Sequence, residues 1–186
     1  MELRTGDKIS YPCQGPCLVA PVVKRVIDGE PAEFYHLTLL QHGGGELFIP
    51  LDKADLRGIR KLLDRSEIPA VLDRLGRASA STGSWHARTR NNLILFASGS
   101  ALDLAEIVGS MTELGANRKL QPSDRKTLEK AKRLLVREIA EVTGETRSAV
   151  TETIDKVIAR RSGNKRAAGK PALRYTPRIQ DYADLP

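Results

Sequence analysis

Cysteine and histidine are both scarce in this chain, and each scarcity removes a class of function. The two cysteines, Cys13 and Cys17, stand in CQGPC with no second Cys or His pair at metal-finger spacing. Neither a disulfide framework nor a zinc site is expected, so no metal is assigned. The three histidines, His36, His42 and His86, lie far apart. No nucleophile with its base, no paired carboxylates and no phosphate-cradling loop accompany them, which argues against an enzyme and leaves no cofactor to expect. The run Gly43 to Gly45 lacks the Lys-Ser/Thr of a P-loop and precedes a strand, so it reads as a hairpin turn. No stretch approaches the roughly 20 apolar residues that span a bilayer, and the opening MELRTGDK is charged at once. A cytoplasmic protein with no membrane partner is expected.

Positive charge, by contrast, is abundant and unevenly placed. The formal net charge is +7. Residues 1–59 hold six Lys/Arg against eight Asp/Glu, residues 60–159 hold 17 against 13, and residues 160–186 hold seven against two. A near-neutral module joined to a basic one suits a protein that holds a protein partner with one end and a polyanion with the other. Solubility alone would give the same charge, and that alternative stays open.

The first 50 residues read as β. The runs KISY, CLVAPVV, FYHLTLL and GELFIP are separated by turn punctuation, with IDGE and HGGG as hairpin signals. Four or five strands in so short a stretch imply a small, strongly bent barrel or sheet, whose edge can accept a strand from another protein. From about Ser66 the period becomes helical: Ile68, Val71, Leu72 and Leu75 form one stripe. After the loop ASASTGS, Ser84 caps a second helix in which Trp85, Leu93 and Phe96 recur near helical spacing before Gly99 ends it. Ser100 with Asp103 resembles a capping box opening a third helix that stops near Gly115. A fourth follows Pro122 and Ser123, with Leu128, Ala131, Leu135 and Ile139 inward, and a fifth begins at Thr146. Beyond Ser162 the composition turns Gly-, Pro- and Lys/Arg-rich, and a flexible basic tail over 163–186 is expected. The fold class is therefore α+β, with a β module over 1–59 and a compact helical domain over 60–162.

One segment of the basic domain stands out, SWHARTRNN, which sets the only tryptophan beside Arg88, Arg90, Asn91 and Asn92. A large flat side chain flanked by cations is the combination that wedges at a base step while arginines hold phosphates. A core tryptophan anchoring the bundle is the competing reading, and spacing does not separate the two.

The opening LRTGDKISYPCQGPCLV resembles the start of the CarD/CdnL family of bacterial transcription regulators, through Leu3, Gly6, Asp7, Ile9, Tyr11, Pro12 and Gly15. Further matches are Gly29 and Glu30, Tyr35, Ile49 and Pro50, and the junction Gly58, Ile59 and Arg60. The helical part continues through Trp85, Arg88, Asn92, Ala97 to Gly99, and Leu128 to Leu135. The resemblance implies a Tudor-like module that binds the β subunit of RNA polymerase through a sheet edge, here with Arg25, Leu47, Phe48, Ile49 and Pro50. It also implies a helical domain on promoter DNA at the upstream fork of the bubble. There Trp85 would enter the minor groove, Arg88 and Arg90 would contact phosphates, and His86 and Asn92 would lie alongside. A nucleoid-associated monomer that stabilises opened promoters without an operator sequence is the implied function. Two positions depart from the family pattern: Phe48 and Ala87 stand where many relatives carry a basic residue. A general nucleic-acid-binding protein with an independent β module is the other reading.

Overall fold

The computed structural model describes residues 3–27, 29–41, 43–51, 58–80 and 83–168. Strands β1 (Lys8–Tyr11), β2 (Gly15–Ile27), β3 (Glu30–Leu39), β4 (Glu46–Pro50) and β5 (Arg60–Lys61) form one antiparallel sheet in the order β4-β3-β2-β1-β5. The architecture is α+β and the sheet Tudor-like. Alternation builds it: Ile9, Cys17, Val19, Tyr35, Leu37 and Ile49 point to one face and form a closed apolar cluster. The IDGE turn is a tight hairpin, with Ile27 paired to Glu30 and Gly29 at φ 88°. Pairing of β2 with β3 skips between Ala20 and Val23. Pro21 lies in that gap, and since it has no N–H to give a ladder, a bulge is the local solution. In the HGGG turn, His42 lies outside the described residues.

Among the described residues five helices follow: α1 (Ile68–Arg77), α2 (Trp85–Ser98), α3 (Ala101–Asn117), α4 (Pro122–Thr143) and α5 (Arg147–Ala168). A 3₁₀ turn over Arg65–Glu67 precedes α1, with the Glu67 carboxylate accepting from the Asp64 N–H at 2.6 Å. Their common core includes Leu75, Ile107, Met111, Leu135, Val150 and Ile154. Gly99 ends α2 at φ 68°, a conformation that favours glycine. Gly109 permits α1 and α3 to touch, for a Cβ there would lie 2.5 Å from the Leu75 carbonyl oxygen and 2.6 Å from the Ala78 Cβ. Among the described residues no helix is long and apolar enough to cross a membrane.

The local expectations need four corrections. Ser100 does cap α3, accepting from the Leu102 N–H at 3.2 Å, but Asp103 accepts from the Ser98 hydroxyl, so the capping box is not made. Helix α3 runs past Gly115 to Asn117, because glycine weakens a helix without breaking it. Helix α5 continues beyond Ser162 to Ala168. Extending a formed helix costs far less than starting one, so Ala167 and Ala168 suffice to carry it on. The rest of the expected tail lies outside the described residues. Leu93, grouped with Phe96 by its near-helical spacing, does not share its burial but is 64% exposed, since the buried stripe of α2 is Arg88, Asn92 and Phe96.

Sheet and helices meet along a seam held by one carboxylate. Glu138 of α4 is 1% exposed and receives both ends of the Arg60 guanidinium, at 2.6 and 2.9 Å, and the Leu63 N–H at 3.0 Å. The Arg60 Nε donates to the Gly99 carbonyl at 2.9 Å, so β5, α2 and α4 are tied at one point. Lys8 of β1 adds an outer ion pair to Glu141 at 2.6 Å. The sheet is thereby fixed in orientation against the helices.

Candidate nucleic-acid interface and sheet edge

The Ser84 hydroxyl accepts from the Ala87 N–H at 3.3 Å and so opens α2 one residue before Trp85. First helical residues have few neighbours on their own helix, and Trp85 is 51% exposed, its ring 3.9 Å from that of the exposed His86. A groove of about 830 Å³ runs beside it, walled by the α3–α4 connection and the first turn of α4. That connection supplies two exposed cations to the lining, Arg118 and Lys119. No side chain caps the start of α4, where Gln121 is followed by Pro122. The positive end of the α4 dipole therefore adds to the two cations.

Of the residues expected on the DNA side, the structure groups Trp85, His86 and Arg90 on exposed surface of α2. Arg88 and Asn92 do not belong with them. Arg88 is 2% exposed and donates to the buried Asp124 carboxylate at 3.0 Å and to the Gly83 carbonyl at 3.0 Å. Drawing it out to a phosphate would leave Asp124 buried without a counter-charge. Asn92 is 6% exposed, its amide nitrogen 3.9 Å from the Met111 sulfur. The reason is helical period: 88, 92 and 96 are spaced by four and face the bundle, while 86, 90 and 94 face out. Sequence reasoning missed Arg118 and Lys119. The signal was an adjacent Arg-Lys pair just before a helix opened by proline, and nothing local placed it opposite Trp85.

The sheet edge carries the second group. Among the described residues β4 pairs with β3 alone, so its other side is a sheet edge with backbone groups that no described strand pairs. Leu47 and Ile49 turn into the sheet core, and the Ile49 side chain, at 2% exposure, is spent on that core. Phe48 points the other way, opposite His36 of β3, and their rings stack at 4.8 Å and 15°. The Arg25 guanidinium carbon sits 3.5 Å from the centroid of the Phe48 ring. Pro50 closes the strand with no N–H to donate. The flat ring of Phe48 thus holds the Arg25 guanidinium by cation–π attraction.

Other chemistry is sparse. Among the described residues no group of three His, Cys, Asp or Glu is placed to hold a metal ion. Both cysteines are free, and burial pushes the Cys17 thiol up to about 12. Residues 3–63, which contain the whole sheet, match the family model described as CarD-like/TRCF RID domain. Residues 70–155, from α1 into α5, match the model described as CarD, C-terminal domain.

Proposed function

This chain belongs to the CarD family, whose domains mark an RNA polymerase-interacting transcription factor, and we propose that it stabilises the opened promoter by wedging Trp85 at the upstream edge of the bubble. In this reading the module over 1–59, extended by β5, holds the polymerase β subunit, and the helical domain over 60–162 lies on the minor groove. The observation that carries the proposal is Trp85 itself: half-exposed at a helix start, beside a groove lined by Arg118 and Lys119, on a domain fixed to the sheet by Arg60 and Glu138. A core anchor would be buried.

The polymerase side rests on β4. Its free backbone can extend a partner's sheet, Leu47, Ile49 and Pro50 set its shape, and Arg25 on Phe48 presents a guanidinium for a partner carboxylate. The DNA side combines Trp85 and His86 with phosphate contacts from Arg90, Arg118 and Lys119. No base-reading pattern accompanies them, so the preference is for distorted DNA rather than for a sequence.

The mechanism is a population shift. A ring that fits only the opened, unstacked step binds the open complex better than the closed one, and that difference alone moves the equilibrium. About 1.4 kcal/mol of differential affinity changes the open-to-closed ratio tenfold. Because the seam fixes the sheet relative to Trp85, polymerase docking would deliver the ring to a set position and leave less entropy to lose on binding.

The test is the lifetime of open complexes on a ribosomal-RNA-type promoter with cognate polymerase. Wild type is expected to prolong it, and Trp85→Ala to lose most of that effect while still folding and binding polymerase. A wild-type protein that neither binds polymerase nor changes the lifetime would overturn the proposal.

A further inference from the structure

Far from Trp85, a second basic groove lies between α4 and α5. Its open cavity of about 470 Å³ is lined by Arg133 and Arg137, one turn apart on α4, and by Arg147, the first residue of α5. At 1.5 Å rise per residue, Arg137 lies roughly 20 Å along α4 from the helix start that walls the Trp85 groove. The two grooves are therefore separate.

Several arginines elsewhere in the fold are matched with carboxylates: Arg60 with Glu138, Arg74 with Glu106, Arg88 with Asp124 and Arg161 with Glu113. Arg133, Arg137 and Arg147 have no such partner within 4 Å among the described residues. Arg147 donates to the Leu40 carbonyl at 3.3 Å, which positions its guanidinium without neutralising it. Lys132, on the same lining, is already bound to Asp155 at 2.6 Å. The one acidic side chain on the wall is Glu129, one charge against three. Val136 supplies a buried apolar floor. The crowding is felt within the cluster: Arg137 is pushed below the usual arginine range first by burial, then by Arg133 and Arg147.

Three like charges gathered on an apolar floor repel one another, and an anion bridging them converts that repulsion into attraction. A single carboxylate would neutralise one. Phosphate oxygens accept paired N–H bonds from the guanidinium fork and carry more charge in little volume, and the positive end of the 22-residue α5 adds to the field. We propose that the Arg133–Arg137–Arg147 groove is a binding site for a ligand with neighbouring phosphate groups, separate from the Trp85 groove. Two sources share this chemistry, the backbone of a duplex and a free nucleotide.

Calorimetric titration of the full chain with inorganic pyrophosphate, with ATP and with a short duplex tests the site and its source. Saturable pyrophosphate binding is expected, weakened at least tenfold by Arg137→Gln and by the double substitution Arg133→Gln, Arg147→Gln. Lys119→Gln, in the other groove, is expected to leave it unchanged. Arg137→Lys keeps the charge and loses the fork, so it should fall between wild type and Arg137→Gln. It also serves as the folded comparison should Arg137→Gln not fold. Displacement of bound pyrophosphate by duplex would identify backbone phosphate as the source; tighter binding of ATP with no displacement by duplex would identify a free nucleotide. The site is refuted if pyrophosphate does not bind, or if it binds equally to wild type and the double variant.

Discussion

At the seam, Arg60 is gripped by the buried Glu138, and behind Trp85 the buried Arg88 is gripped by Asp124, whereas Arg133, Arg137 and Arg147 face an open groove and, among the described residues, no carboxylate forms an ion pair with them. These residues are the same type on the same chain, and two of the groove arginines even share a helix with both carboxylates. What differs is the partner. An arginine matched to a buried carboxylate has spent its charge on architecture, and removing it exposes the cost of the orphaned partner. An unmatched arginine contributes little to the fold and keeps its charge for an outside anion. The basic balance of the sequence is thus a poor guide to which cations meet a polyanion.

The sharpest way to break this comparison is to remove a buried carboxylate. Glu138→Ala leaves Arg60 and the Leu63 N–H without their acceptor, and a loss of about 3–5 kcal/mol in denaturant unfolding is expected. A loss below 1 kcal/mol would mean that the seam does not depend on this pair. Arg88→Ala orphans the buried Asp124 and is expected to cost about 3 kcal/mol, measured in the same way. Gly109→Ala is an uncharged comparison. Its Cβ would collide with Leu75 and Ala78, costing about 1–3 kcal/mol through packing alone, with a matching drop in melting temperature.

Arg90→Ala sharpens the contrast from the other side. Stability should change by no more than about 0.5 kcal/mol, while the slope of log DNA affinity against log salt falls by about 1, as for one lost phosphate contact. Large destabilisation by Arg90→Ala together with none by Arg88→Ala would invert the assignment of the two. The smallest effect concerns the cysteines. Cys17 is buried, with its thiol held protonated up to about pH 12, so alkylation at pH 8 should label the partly exposed Cys13 and spare Cys17 until the protein unfolds.

Much of the fold was legible because it is local. Period-two and period-3.6 patterns marked strands and helices, and Ser84, Gly99 and Pro122 marked ends through hydrogen bonds and torsions that span only a few residues. The reading failed where a side chain had two destinations within reach. Asp103 served Ser98 rather than a capping box, and Leu93 turned outward because Arg88 and Asn92 took the inner stripe. Polar residues on a buried stripe break the apolar pattern from which inward faces are inferred.

The sequence by itself determined the α+β order, the basic character of the helical half, the Ser84-capped start of α2 and the family. Tertiary structure alone decided which cations remain free. Arg88 finds Asp124 across 36 positions and Arg60 finds Glu138 across 78. Such pairs form by packing distant elements together, and neither composition nor helical period carries the distance between them. The same packing set Arg118 and Lys119 opposite Trp85 and gathered Arg133, Arg137 and Arg147 into one groove. Charge is written residue by residue, but its neutralisation depends on separations of a few ångströms that only the folded chain defines.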